Sequence, residues 1–170
     1  MRALVYAVVA AFLFSSFSPR VDAADIDWQH WEIDAFETAK AEDKIILVSV
    51  GMEGCAACQR MESLTYTDEA VIDLVNTYFM PIEVDAEARP DIGERYSDWA
   101  WPATIFMTPD ATQVLAIRGN RLPRNFVPIL NDLVEKHAAG ALEPDPNSPY
   151  AAPPAPAETD LTRVRDDLRA

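Results

Sequence analysis

The chain has 170 residues, of which 49% are hydrophobic and 25% are charged, a length and composition typical of one globular domain. Its 28 acidic residues outnumber its 14 lysines and arginines, so the formal net charge is -14. This charge argues against binding to nucleic acid or to anionic lipid through the protein's own electrostatic field. We therefore expect no nucleic-acid partner, and any partner steered by charge is expected to be basic.

The first 23 residues have the pattern of a cleavable signal peptide. Arg2 supplies a positive charge, residues 3–14 form an apolar run, and Val21-Asp22-Ala23 matches the motif that signal peptidase recognises. The apolar run is shorter than the roughly 20 residues that a membrane-spanning helix needs. We predict cleavage after Ala23 and a periplasmic or secreted protein, with retention as an N-terminal anchor as the alternative.

The next segments show first a helical and then a strand pattern. Asp27–Lys44 has apolar residues mostly three and four positions apart, which predicts a helix with Trp28 and Trp31 in the core. Ile45–Val50 is an almost unbroken apolar run, as expected for a central strand covered on both faces. The strand is predicted to end at Gly51.

Both cysteines of the chain, Cys55 and Cys58, lie at the start of the following predicted helix in a CxxC motif. Haem attachment would need a histidine after the second cysteine, where the chain has Gln59. Zinc would need four ligands, and the remote His30 and His137 do not have ligand spacing. A structural disulfide closing so short a loop would stabilise the fold little. We therefore predict a reactive dithiol, with no metal and no cofactor.

The position of the two cysteines in the helix predicts different roles for them. Unpaired N–H groups and the helix macrodipole favour a thiolate, so the pKa of Cys55 is expected to be lowered. Cys58 lies nearly one turn deeper, close enough for a disulfide and shielded from solvent. Cys55 is predicted to attack a substrate disulfide and Cys58 to resolve the mixed disulfide, while the reverse sequence would oxidise a substrate dithiol.

The remaining segments continue the alternation of helices and strands. The patterns predict strands at 79–84, 104–107 and 114–117 and helices at 68–77 and about 125–137. Pro128 is expected in the first turn of the last helix, where proline is tolerated, and Gly140 lies just beyond the end of that helix. Asp85–Ser97 is polar with only a weak helical pattern.

This order of elements resembles the thioredoxin superfamily, especially exported bacterial thioredoxin-like proteins and the C-terminal domain of the reductase DsbD. The resemblance covers about residues 27–138 and rests on the CxxC motif after a strand and on Trp101-Pro102-Ala103 before another. It implies an α/β thioredoxin-like fold, with a central mixed sheet flanked by helices and a cis Pro102 beside the dithiol. It also implies that a substrate peptide pairs with the backbone near Trp101 and Ala103. A monomeric reductase of protein disulfides, supplied by a DsbD-type membrane electron donor, is the function that it favours.

The chain departs from the thioredoxin pattern at positions that matter for the chemistry. Gly54 stands where thioredoxins usually have tryptophan, and Ser49 stands where they usually have a buried aspartate. A buried carboxylate could move the proton of the resolving thiol, and a serine hydroxyl cannot do so at ordinary pH. Glu53 could partly substitute, although a carboxylate near Cys55 would raise the pKa of that thiol, and Glu53 is expected to be a solvated loop charge. The redox direction stays open.

A copper carrier is the second functional hypothesis. Met52, Cys55, Cys58 and Met61 recur every three residues, and their soft sulfur atoms suit Cu(I). Against this hypothesis, Met61 falls on the apolar stripe of the predicted helix, where methionine is usually packing material.

Changes of composition along the chain predict its domain boundaries. We predict a thioredoxin-like domain at 24–140, a proline-rich linker at 141–157 and a short tail at 158–170. The tail has three apolar residues at helical spacing. We expect the tail to be disordered on its own, and a helix that docks on a partner is the alternative.

Overall fold

The structure, a computed structural model, describes residues 25–143 of the chain. In this range the strands are β1 (Gln29–His30), β2 (Ile45–Gly51), β3 (Phe79–Asp85), β4 (Ala103–Met107) and β5 (Gln113–Arg118). The α-helices are α1 (Ile33–Ala41), α2 (Ala56–Leu64), α3 (Glu69–Tyr78), α4 (Pro90–Tyr96) and α5 (Pro123–Ala138). A short 3₁₀ turn at Ser97–Trp99 follows α4.

The five strands form one sheet in the order β1-β3-β2-β4-β5. Strands β1, β3 and β2 are parallel to one another, and β4 runs antiparallel to both β2 and β5. Strand β2 therefore lies at the centre of the sheet. The predicted α/β architecture, a mixed sheet flanked by helices, is confirmed.

Side chains of β2 alternate between two apolar clusters. On one face Ile46, Val48 and Val50 pack with residues of α1 and α4, and on the other face Ile45 and Leu47 pack with residues of α2, α3 and α5. All five side chains are fully buried. Helices on both faces of the strand explain why its sequence is an apolar run without polar alternation.

The first part of the predicted helix at Asp27–Lys44 is not helical, so that prediction was wrong there. Gln29–His30 form the edge strand β1 beside β3, and α1 begins only at Ile33. Pairing with β3 provides hydrogen-bond partners for the backbone at that edge, a tertiary effect that outweighs the helical spacing of the tryptophans. Trp31 is buried as expected, whereas Trp28 is half-buried against the apolar cluster that contains Ile45 and Leu47.

Helix α5 begins two residues earlier than predicted. Pro123 lies at its start, where a proline suits the helix because its φ is already helical and its missing N–H would have no intrahelical partner. Pro128 is consequently inside the helix rather than in its first turn, which corrects the prediction. Asp85–Ser97, with its weak helical pattern, contains the two-turn helix α4.

Several predicted segments lie outside the described residues. These are the signal peptide at 1–23, most of the linker at 141–157 and the tail at 158–170. Leu142 is buried in the cluster that contains α3 and α5, so the packed chain reaches at least that residue. Between residues 25 and 143, no helix is long and apolar enough to cross a membrane.

Candidate active site: a disulfide at the start of α2

Cys55 and Cys58 form a disulfide at the N-terminus of α2, with their Cα atoms 5.3 Å apart. Cys55 is the residue that caps the helix, and a loop of only three residues separates it from the end of β2. Cys58 is 4% exposed, whereas Cys55 is partly exposed. The two sulfur atoms thus differ in their access to solvent, as the sequence predicted from their helical positions.

The Cys55 sulfur has a hydrogen-bond donor ready at the helix end. The backbone N–H of Cys58 donates to Sγ of Cys55 at 3.1 Å, and the first turn of α2 contains no acidic residue. After reduction, this N–H and the helix macrodipole would both favour the thiolate of Cys55 over its thiol. The helix end therefore provides the electrostatics that a nucleophilic cysteine requires.

Beside the disulfide lies an open cleft of about 490 Å³. Its wall includes Cys58 together with side chains from β1, β2, β3 and the end of α2. At its base, a Cβ placed on Gly51 would lie 3.5 Å from Sγ of Cys58, so the sulfur rests on the carboxyl end of β2. Cys58 is therefore held between the sheet and the cleft.

Ser49 and Tyr66 form a buried hydroxyl pair in this cleft. The Tyr66 hydroxyl donates to Oγ of Ser49 at 3.0 Å. Burial raises the pKa of Tyr66 to about 12, against the smaller opposing effects of the Ser49 and Thr104 hydroxyls. Tyr66 therefore stays neutral at physiological pH. The sequence identified Ser49 as a departure from the thioredoxin pattern, but no local signal pointed to Tyr66, whose partner is 17 positions away.

The three residues expected to bind substrate lie together at the start of β4. The Trp101–Pro102 peptide bond is cis, and Pro102 is buried and lines the cleft with Cys58. Ala103 is fully buried and is paired with Val50 on one side and with β5 on the other. Trp101 is half-buried and precedes the strand. Trp101 and Pro102 both precede β4, and of the three residues only Pro102 lines the cleft, because Trp101 packs against the cluster on the other face of β2.

The four sulfur-bearing residues of the copper hypothesis differ in burial, although Met52, Cys58 and Met61 line the same cleft. Met61 is 1% exposed in the core, and its Sδ accepts a hydrogen bond from the backbone N–H of Arg121 at 3.3 Å. Met52 is half-buried in the loop before Cys55. A site that uses both thioethers would require Sδ of Met61 to give up this hydrogen bond. Within residues 25–143, no cluster of three or more His, Cys, Asp or Glu side chains could hold a metal ion.

The fold and the disulfide together define a class of protein. Solved structures similar to this chain have the thioredoxin-like fold, and that fold with a Cys55–Cys58 disulfide supports a thiol-disulfide oxidoreductase. The chain matches the Thioredox_DsbH family, described as a protein of unknown function, DUF255, over residues 13–136. The protein belongs to this family, and the resemblance to the thioredoxin superfamily is confirmed.

Three solved structures illustrate the fold. A thioredoxin from Thermus thermophilus has a TM-score of 0.60 and 23% identity, covering 69% of this chain and 93% of its own. A protein described as DsbH oxidoreductase has a TM-score of 0.52 and 15% identity, covering 72% and 88%. The reduced C-terminal domain of DsbD from Neisseria meningitidis has a TM-score of 0.51 and 16% identity, covering 61% and 98%.

Two curated relatives are closer in sequence but much longer. An uncharacterized protein of Caenorhabditis elegans, B0495.5, is 38% identical over 93 residues, which are 50% of this chain and 13% of the relative. Spermatogenesis-associated protein 20 of Rattus norvegicus is 36% identical over 92 residues, which are 49% of this chain and 12% of the relative. The chain thus spans about an eighth of the length of these relatives.

Replacing Tyr66 with phenylalanine should change the pH dependence of stability. Because the pKa of Tyr66 is raised in the folded protein, Tyr66 makes its full contribution to the unfolding free energy below its unfolded-state pKa of about 10. That contribution is lost as the pH rises towards the folded-state pKa of about 12. We expect the wild type to lose about 2–3 kcal/mol of unfolding free energy over this interval through Tyr66, and Tyr66→Phe not to lose it.

Urea denaturation at several pH values measures this difference. Near neutral pH, Tyr66→Phe should lower the unfolding free energy by about 1–2 kcal/mol, because the Ser49 hydroxyl loses its hydrogen-bond donor. Tyr78→Phe is the matched control, since Tyr78 is 46% exposed. Parallel curves for the wild type and Tyr66→Phe above pH 10 would contradict the prediction.

Proposed function

We propose that the protein is an exported reductase of protein disulfides. The Cys55 thiolate attacks a substrate disulfide and forms a mixed disulfide, which releases the first substrate sulfur. Cys58 then attacks Cys55, which releases the second substrate sulfur and leaves the Cys55–Cys58 disulfide. An external dithiol reduces that disulfide by the same exchange in reverse, so no bound cofactor is needed.

The unequal environments of the two sulfur atoms carry this proposal. Cys55 is partly exposed at the end of α2 and receives the N–H of Cys58, so it suits the attack on an incoming disulfide. Cys58 is 4% exposed against Gly51, so an external disulfide would reach it poorly while Cys55 remains within bonding distance. A purely structural disulfide would require no such difference in solvent exposure between its two cysteines.

We assign substrate binding to Trp101, Pro102 and Ala103. An extended peptide would add as a strand along the Trp101 backbone, with Pro102 forming the floor next to Cys58. Ala103 would act indirectly, because its own backbone lies between β2 and β5 and fixes the position of the two residues before it. The indole of Trp101 would supply apolar contact area for an unfolded or extended segment.

The charge of the cleft favours a basic substrate segment. Its lining includes the carboxylates of Glu53, Glu62, Glu83 and Asp85, and no lysine or arginine of the described part of the chain lines it. A carboxylate-lined cleft attracts positive charge and disfavours acidic partners. We therefore expect substrates in which lysine or arginine lies near the reactive disulfide.

We propose export for this protein on the strength of the signal-peptide pattern at residues 1–23. In the periplasm or outside the cell, disulfides persist and a reductase needs electrons from elsewhere. The resemblance to the C-terminal domain of DsbD favours a DsbD-type membrane protein as the donor. We propose that the protein works as a monomer in this exchange.

Replacing the resolving cysteine should trap substrates. In Cys58→Ser, the mixed disulfide on Cys55 has no internal thiol to displace it, so partner proteins should accumulate as adducts that dithiothreitol releases. Non-reducing electrophoresis and mass spectrometry of the native compartment identify these adducts. Cys55→Ser is the matched control and should trap at least about tenfold less, because Cys58 is shielded. Equal trapping by both variants would contradict the assigned roles.

The reduction potential decides the direction of exchange. Titration of the protein in defined thiol and disulfide buffers, followed by alkylation and mass measurement, should give a value near the roughly -270 mV of thioredoxin. A value near the roughly -120 mV of DsbA would instead make the protein an oxidant. A disulfide below about -300 mV that resists exchange would identify a structural staple and overturn the proposal.

Export predicts a defined mature N-terminus. Expression of the full chain in a Gram-negative host, followed by N-terminal sequencing of the periplasmic protein, should give Ala24 as the first residue. Ala23→Arg should block cleavage, because signal peptidase requires a small residue at that position. Recovery of the uncleaved chain from the cytoplasm would contradict export.

A further inference from the structure

A row of polar side chains crosses the sheet in the cleft beside the disulfide. In the strand register, Glu83 of β3 lies between His30 of β1 and Ser49 of β2, and Ser49 in turn lies opposite Thr104 of β4. The adjoining row on the same face is apolar and includes Leu47. The polar row is therefore confined to the end of the sheet next to α2.

Cys58 lies close to this row. Its sulfur rests on Gly51, which is two residues beyond Ser49 on the same face of β2. Two residues along a strand cover about 6.6 Å, and the neighbouring strand lies about 4.8 Å away. Across this spacing, Glu83 and Cys58 line the same cleft, where a water can bridge their polar atoms. Asp85 lies opposite Gly51 and also lines the cleft, but its Oδ1 already accepts the backbone N–H of Glu87.

The proton of Cys58 needs an acceptor within the cleft. The thiol must become a thiolate before it attacks the mixed disulfide, and at 4% exposure it has little direct contact with solvent. Ser49 cannot accept a proton at ordinary pH, and the Tyr66 hydroxyl already donates to Ser49. Glu83 has a carboxylate that reaches both the cleft and the solvent.

We propose that the Glu83 carboxylate accepts the proton of the Cys58 thiol, through a water in the cleft, during resolution of the mixed disulfide. This role rests on the proposed function. As the Cys58 thiolate attacks Sγ of Cys55, the Cys55–Cys58 bond forms and the bond from Cys55 to the substrate sulfur breaks. The electron pair of that bond leaves with the substrate sulfur, and the proton held by Glu83 passes to it. Glu83 thus takes the place of a buried carboxylate at position 49.

The groups around Glu83 adjust its affinity for this proton. Burial first, and then the charge of Glu62 on α2, raise the pKa of Glu83 above the ordinary 4.5, and Asp85 on the same strand acts in the same direction. The charge of His30 opposes them from β1. A raised pKa makes the ionised carboxylate a better proton acceptor.

Reaction of the reduced full chain with one equivalent of dithiobis-nitrobenzoate isolates this step. Attack by Cys55 releases the first nitrothiophenolate, and resolution by Cys58 releases the second, so stopped-flow absorbance follows two phases. In the wild type, the rate of the second phase should rise with pH through the raised pKa of Glu83. In Glu83→Gln this rise should disappear, and the second phase should slow by at least about tenfold near neutral pH.

Further variants distinguish proton acceptance by Glu83 from a general electrostatic effect of negative charge in the cleft. Glu87→Gln removes the same charge outside the cleft lining and should leave both phases unchanged. Glu62→Gln and Asp85→Asn each remove another carboxylate of the cleft lining, and both variants should keep the pH-dependent rise of the second phase. Glu83→Asp retains a carboxylate and should keep the rise with a reduced rate, and it also serves as the test if Glu83→Gln does not fold.

The outcomes distinguish the proposed role of Glu83 from the proposed function. A wild type that releases fewer than two equivalents would overturn the exchange reaction itself. Two equivalents with the same second-phase pH profile in the wild type and Glu83→Gln would overturn only the role of Glu83. If Glu62→Gln lost the pH-dependent rise of the second phase as fully as Glu83→Gln, the specific role of Glu83 as the proton acceptor would likewise be overturned.

Discussion

The placement of β2 between β3 and β4 is the constraint on which the site depends. Because β2 is hydrogen bonded on both sides and covered on both faces, its carboxyl end has one fixed position. The loop that follows has room for only three residues before Cys55, so the N-terminus of α2 must lie over that end. Cys55, Cys58 and the cleft beside them are all positioned by this one strand.

The position of the α2 N-terminus over the end of β2 gives the two sulfur atoms different surroundings. The helix end presents an N–H and the positive end of the macrodipole to Cys55, while Gly51 provides a surface on which Cys58 can rest. The pair thus lies between a helix terminus that stabilises negative charge and a carboxylate-lined cleft that attracts positive charge. The helix end is the feature that favours a thiolate at Cys55, and the carboxylates of the cleft are the feature on which the proposed preference for a basic substrate segment rests.

The polar chemistry of the site is spread across the sheet instead of being concentrated at one buried residue. A buried carboxylate at position 49 would bear the full cost of desolvation, whereas the chain has a serine there, bonded to Tyr66. Glu83, one strand away, is partly hydrated and can remain ionised at lower cost. The departure from the thioredoxin pattern at Ser49 therefore goes together with a carboxylate on the neighbouring strand.

The sequence by itself determined the elements and the reactive pair, because these depend on local patterns. A few neighbouring residues encode the apolar run of β2, the spacing of the cysteines and the strand that ends at Met107. Local spacing failed at Gln29–His30, where pairing with β3 replaced a helix, and at Pro123, which began α5 early.

Only the tertiary structure decided which distant residues share the cleft. The register of β1, β3, β2 and β4 places His30, Glu83, Ser49 and Thr104 in one row, and no local pattern specifies that register. The contact of Tyr66 with Ser49 likewise arises from the way α2 packs on the sheet. Sheet register and helix packing are set by burial summed over the whole core, so the sequence could identify the cysteine pair but not the distant polar groups that share its cleft.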